Sequence, residues 1–241
     1  MCLVSTSTRT RRGRPKFPGG RRPAGRRPSY HHGDLREALI RAAVQLIEDQ
    51  GPDGFTLREA ARVVGVTHTA PYRHFADRDA LLVAVAQEGF QGLGAAMQAR
   101  QAGLADPRAR LQAIGIAYVE YAVAHPSHFR LMHAPVADTC LEAAYVEAKS
   151  QPFQILLDAI SACQTTGQIP PGPPLRWALA AWSTVHGLAD LLMSGSAFRM
   201  GVADGTPTDV ARQVTADVLD GLAMARQPAS RRPRQGTTTT T

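Results

Sequence analysis

The stretch that most constrains this chain is Phe55 to Leu82, FTLREAARVVGVTHTAPYRHFADRDALL, which packs several helix-boundary signals into 28 residues. Thr56 and Glu59 have the spacing of a capping box, in which the threonine hydroxyl takes an early helical amide and the glutamate reaches back to the threonine amide. Phe55 occupies the hydrophobic-staple position. A helix is therefore predicted from Leu57, with Leu57, Ala60, Ala61 and Val64 on one buried stripe at i, i+3, i+4 and i+7. Gly65 supplies the left-handed residue that ends it. After the turn Gly65-Val66-Thr67, Thr67 is placed to cap a second helix whose Ala70 and Phe75 face inward. That leaves His68, Thr69, Tyr72, Arg73 and His74 outward or near its start. Two short helices across a tight turn, the second polar and reaching, make a helix-turn-helix.

The surrounding chain reads as helical throughout. Gly33-Asp34 opens a helix with Leu35, Leu39, Ala42, Ala43, Leu46 and Ile47 on one face, and Gly51-Pro52-Asp53-Gly54 stops it. Neither short helix of the pair can bury its stripe alone, so this one should complete a three-helix bundle. Asp77 caps a longer helix to about Arg100, whose Gly89, Gly92 and Gly94 suit either a bend or close packing. Helices then follow over 108–125, from Pro126, over 138–150 and 152–166, over 175–194 and over 207–226, with no convincing period-two segment. The segments flanking Pro152 are either a pair or one disturbed helix. The fold class is all-α, with a helix-turn-helix domain over 30–77 and a C-terminal helical domain over 78–226.

Charge is unevenly divided. Of the 27 basic residues, nine lie in residues 1–29 and four in 226–241, and neither segment holds an acid. The other 14 face all 20 acids, so the body is near −6 although the whole chain is +7. The Arg-, Pro- and Gly-rich arm at 1–29 and the tail at 227–241 cannot bury apolar surface and are expected to be disordered when free. The arm has the composition of a minor-groove reader and equally that of a solubilising tail. No run reaches about 18 apolar residues. Arg11-Arg12 lacks the apolar segment of a secretory signal, and Cys2, Cys140 and Cys163 have neither an even count nor ligand spacing. A cytoplasmic protein without membrane attachment, resident metal or cofactor is expected.

Thr56-Leu57-Arg58-Glu59-Ala60-Ala61, Gly65-Val66-Thr67, Tyr72-Arg73-His74-Phe75 and Asp77-Arg78-Asp79-Ala80-Leu81-Leu82 together resemble the DNA-binding domain of the tetracycline-repressor-like (TetR) family of bacterial transcriptional regulators. The family usually has leucine where Pro71 stands, and a tighter entry to the second helix is expected from it rather than a broken helix. The resemblance implies a homodimer on palindromic double-stranded operator DNA, with half-sites about 34 Å apart or a multiple of one DNA turn. It implies two C-terminal helices pairing with their symmetry mates, repression by family habit, and release by a small-molecule effector. Within the head, Thr56, Arg58, Thr67, Tyr72 and Arg78 are expected to position DNA through phosphates, and His68, Thr69 and Arg73 to read bases. His74 fits either role.

Trp182-Ser183-Thr184-Val185-His186-Gly187-Leu188 is similar to the Trp-His-Gly signature of one TetR subgroup. Trp182, His186 and Asp190 share a helix face at steps of about 6 Å, so Asp190 is placed to orient the imidazole toward a ligand, or simply to satisfy a core histidine. Tyr118, Tyr121, Phe129, Met132, Phe153, Trp182 and His186 are the candidates for an aromatic-lined cavity taking an apolar or aromatic effector. Two other readings compete: a dimeric DNA-binding protein with no effector, and a metal-dependent enzyme using His125, His128, His133, His186 and Asp190. The second lacks a compact ligand motif.

Overall fold

Local capping chemistry sets several of the helix ends. In the computed structural model, which describes residues 32–134 and 143–224, the Asp77 carboxylate accepts the Ala80 amide at 2.8 Å and starts one helix. Asp106 accepts the Arg108 and Ala109 amides and, with Pro107 at the first helical position, starts the next. Among the described residues the helices are α1 His32–Gln50, α2 Leu57–Val64, α3 Arg78–Gln101, α4 Pro107–Ala124, α5 Pro126–Met132, α6 Ala143–Thr165, α7 Pro174–Met193, α8 Ser196–Arg199 and α9 Pro207–Met224. No strand occurs among them. The basic arm, the C-terminal tail, Cys2, Cys140 and the helical start expected at Asp138 lie outside the described residues.

The α6 segment is one helix. Pro152 lies inside it and is buried, so the missing amide costs one hydrogen bond without dividing the element. The four-residue α8, entered through Gly195 at φ 67°, is too short for periodicity to reveal and was not anticipated.

One core runs from the head into the C-terminal domain, with Leu39, Phe55, Phe75, Leu81, Phe90, Ile114 and Ile160 all nearly inaccessible. A smaller cluster of Ile116, Val119, Leu188, Leu192, Ala197 and Ala211 joins α4, α7, α8 and α9. The central element is α3. It is long and apolar enough to cross a membrane by length and composition, but half of that stretch is buried in the protein as core. It runs unbroken through Gly89, Gly92 and Gly94. A Cβ on Gly89 would lie 2.7 Å from Met132 Sδ, one on Gly92 would lie 2.5 Å from the Tyr121 hydroxyl, and one on Gly94 would lie 2.8 Å from Gln151 Oε1. These glycines therefore let α5, α4 and α6 approach the helix backbone, and close packing is the reading that holds.

Polar ties fasten α9 over α4. Arg108 Nη2 meets Asp220 Oδ1 at 2.5 Å, Gln112 donates to the Arg212 carbonyl at 3.1 Å, and Glu120 accepts from both Arg100 of α3 and Thr208 of α9.

Candidate DNA-binding surface and effector cavity

The head is built as its capping residues specify. The Thr56 amide donates to Glu59 Oε2 at 2.8 Å and the Glu59 amide donates to Thr56 Oγ1 at 3.3 Å, closing the capping box. Leu57, Ala60 and Ala61 are buried, and Gly65 at φ 77° ends α2 with the Val66 amide returning to the Ala61 carbonyl. Since the Thr56 amide and hydroxyl are both engaged with Glu59, Thr56 acts chiefly as a cap.

The second element differs from the expected α-helix. From Thr67 the backbone bonds run Ala70 to Thr67, Arg73 to Ala70 and His74 to Pro71, three-residue steps with a 3₁₀ helix at Pro71–Arg73, and the Phe75 amide closes the segment with a four-residue step to the Pro71 carbonyl. The cause is Pro71, which has no amide for the Thr67 carbonyl and whose ring crowds that carbonyl in α geometry. The Thr67 hydroxyl does not cap; it pairs with the Thr69 hydroxyl at 3.3 Å. Pro71 itself is fully buried and, with Phe75, anchors the segment in the core, while Ala70 is only half-buried.

His68, Thr69, Tyr72 and Arg73 are thereby exposed in one short run, and Arg58 and Thr67 beside them are exposed too. Two candidates need correction. His74 is half-buried with Nε2 enclosed and unpartnered, so that nitrogen is withdrawn from any base or phosphate. Arg78 is also half-buried, with Nη2 3.2 Å from Asp53 Oδ1 and Nε 3.5 Å from Asp79 Oδ1. Its guanidinium ties the α1–α2 loop to the start of α3, so a phosphate would have to compete with Asp53 and Asp79 for it.

The C-terminal domain holds a cavity of about 480 Å³, partly open to solvent, between α3, α4, α5, α6, α7 and α9. Of the seven candidates, Tyr118, Met132, Phe153 and Trp182 line it. Phe129 and His186 stand behind that wall, with ring centroids 5.6 Å and 6.4 Å from Tyr118. Tyr121 faces Gly92 and His125 instead, because Gly92 opens a slot on α3 that the phenol fills. His133, Lys149 and the aliphatic Leu111, Leu156 and Val218 also line the cavity and were not among the candidates.

One end of this apolar space is polar. Trp182 Nε1 donates to the Tyr118 hydroxyl at 3.2 Å, that oxygen lies 2.9 Å from His186 Nδ1, and His133 Nε2 stands 3.5 Å from it. The partner of His186 is thus Tyr118; Asp190, exposed on the same helix, makes no such bond. His133 Nδ1 bonds the Phe129 carbonyl at 3.0 Å. Burial pushes the Tyr118 phenol well above its ordinary range and the Tyr121 phenol up to about 12. It pulls His133 below the ordinary histidine value, a shift the Phe129 carbonyl opposes and the neighbouring His186 reinforces.

The histidines of the metal reading fall into two separate pairs. His125 and His128 have ring centroids 5.9 Å apart, and His133 and His186 have theirs 4.5 Å apart. Among the described residues no three histidines, cysteines or carboxylates converge.

Two family profiles match the chain. One, described as "Bacterial regulatory proteins, tetR family", covers residues 39–85, and one described as "Tetracyclin repressor-like, C-terminal domain" covers residues 111–230. The second description is broader than the Trp-His-Gly subgroup. Tetracycline repressor protein class C of Escherichia coli is 46% identical over 52 residues, which is 22% of this chain and 24% of that protein. The match thus spans about a quarter of that relative's length. A protein of unknown function from Rhodococcus sp. RHA1 is 36% identical and superposes with a TM-score of 0.70 over 82% of this chain and 100% of its own. A tetR-family regulatory protein from Rhodococcus RHA1, 20% identical, shares the fold with a TM-score of 0.64 over 78% of this chain and 96% of its own. With profiles matching both the head and the C-terminal domain, this chain belongs to the tetR family of bacterial regulatory proteins.

Proposed function

We propose that this protein is a transcriptional repressor that binds palindromic operator DNA as a homodimer in the cytoplasm and is released by a small-molecule effector. The observation that carries the reading is the exposed run His68, Thr69, Tyr72 and Arg73, held outward by the buried Pro71 and Phe75. Imidazole, hydroxyl, phenol and guanidinium groups on a short protruding turn suit base edges and phosphates in a major groove. Arg73 is the residue most suited to pair bidentately with guanine.

A second copy of the chain is supported by α7. Leu175, Leu179 and Leu191 lie at four-residue steps through Ser183 and Gly187, and the leucines are 60%, 55% and 47% exposed. Leu175 and Leu179 share a face that the monomer leaves uncovered, while Leu191 lies about 160° round the helix from Leu175, so the exposed start of α7 is the part that suits a symmetric helix pairing. The cavity supports effector release over the effector-independent reading, because an apolar space of this size with one polar end has the make-up of a ligand site. An effector acts here only through unequal affinity for the two head spacings. We infer a binding role and no catalysis.

Selecting fragments from random DNA with the purified full-length chain tests the proposal. A palindromic consensus bound by a dimer is the expected outcome; DNA retained without any sequence preference would remove the regulator reading.

A further inference from the structure

The polar end of the cavity is unbalanced in hydrogen, and the imbalance specifies the ligand. The Phe129 carbonyl can only accept, so His133 Nδ1 carries the hydrogen of a neutral ring and Nε2 keeps a lone pair. Tyr118 accepts from Trp182 and has a single hydrogen to give, against His186 Nδ1 at 2.9 Å and His133 Nε2 at 3.5 Å. With His186 in the tautomer that presents a bare Nδ1, the shorter contact takes it. His133 Nε2 is then an acceptor at the cavity wall without a close donor among the described residues. Among the described residues the wall carries no carboxylate, and the one formal charge there, Lys149, is exposed and screened by solvent. An anionic ligand head would set a second lone pair against His133 Nε2, with the solvent-screened Lys149 as its counter-charge.

Resting on the reading of this cavity as the effector site, we propose that the ligand is an uncharged, largely aromatic or aliphatic molecule bearing a hydroxyl, a phenol or alcohol, which donates to His133 Nε2. The apolar body lies along Leu111, Phe153, Leu156 and Val218. Tyr118 and Trp182 are positioning residues that hold the acceptor end in register.

Three compounds of one skeleton test this: para-phenylphenol, its methyl ether, and the corresponding biphenyl carboxylate. Binding to the full-length protein is followed through quenching of Trp182 fluorescence, with Trp182→Phe as the control for the signal. The phenol should bind about fivefold more tightly than the ether, the size of one net hydrogen bond, and more tightly still than the carboxylate. His133→Phe should bring phenol and ether within about twofold of each other, whereas His133→Gln, which keeps an acceptor, should preserve the preference. Ether or carboxylate binding as tightly as the phenol overturns the inference, as does no binding by any of the three, or a phenol preference that survives in His133→Phe. The wild-type comparison decides even where a variant does not fold. Phenol binding that leaves the selected operator complex intact contradicts the effector reading and leaves the ligand chemistry standing.

Discussion

The hydroxyl of Tyr118 on α4 lies 2.9 Å from Nδ1 of His186 on α7, and Trp182 Nε1, one turn earlier on α7, donates to the same oxygen. One buried phenol thus satisfies two side chains of the neighbouring helix.

Tyr118→Phe keeps the ring that packs against Phe129 and removes the oxygen that both partners share. Leaving half-buried indole and imidazole nitrogens unpaired is expected to cost ~1–3 kcal/mol. Urea denaturation at constant m-value measures it. A change under a few tenths of a kcal/mol would show that solvent in the cavity replaces the phenol.

Gly89→Ala sets two effects against each other. Alanine gains about 1 kcal/mol of helix propensity, but its Cβ would stand 2.7 Å from Met132 Sδ and 3.2 Å from His128 Cβ. Overpacking typically costs ~1–3 kcal/mol, so a net loss is expected, read from the thermal midpoint. Gly187→Ala meets nothing within 4 Å in the single chain. It should stabilise a monomer, yet weaken association if a second α7 packs closely there.

Leu179→Glu places a charge beside Leu175 on the exposed start of α7 and should shift the protein toward monomer without loss of helicity. Sedimentation at micromolar concentration reads the shift. Unchanged association would move the interface elsewhere.

Acid should weaken the fold through two histidines. Burial holds both His128 and His133 below the ordinary histidine value; Glu88, 3.8 Å from His128 Nε2, opposes the shift, and His125 and His186 add to it. The unfolded chain then binds protons more readily than the folded one. The stability these groups contribute is fully present above about pH 6.5 and is lost as the pH falls through their folded values. Asp106 and Asp209, lowered chiefly by hydrogen bonds from Gln168 and Thr206, act in the same sense only below the ordinary carboxylate range. The thermal midpoint should fall between about pH 7.5 and about pH 5.5, and the His128→Gln, His133→Gln double variant should flatten that fall. An equal fall in both proteins would assign the acid sensitivity to other groups.

What the sequence made legible was local. Thr56 with Glu59, Gly65 and Asp77 announce helix ends because each acts on amides within a turn of itself. Pro71 shows how that legibility ends. Its missing amide is readable and predicts a tighter turn, whereas its burial as a core anchor depends on what α1 and α3 place around it. The pairing of His186 with Tyr118 was missed in favour of Asp190, because helix spacing reveals neighbours on one helix and nothing of a residue 68 positions away. Arg78 matched a family pattern and its charge suited phosphate; its engagement with Asp53, 25 positions earlier, is tertiary. His133 stands among the histidines of the metal reading and not among the cavity candidates, since it lies beyond the end of α5, where no periodicity marks a cavity wall.

The central claim is that the exposed turn from His68 to Arg73 reads DNA sequence. Comparing Arg73→Ala with the parent protein on the selected operator and on random duplex of equal length, at one salt concentration, tests it most directly. The account predicts a loss of ~1–3 kcal/mol on the operator, relaxed preference at one base position in each half-site, and a much smaller loss on random DNA. Equal losses on both would make Arg73 a phosphate contact and contradict sequence reading by this turn.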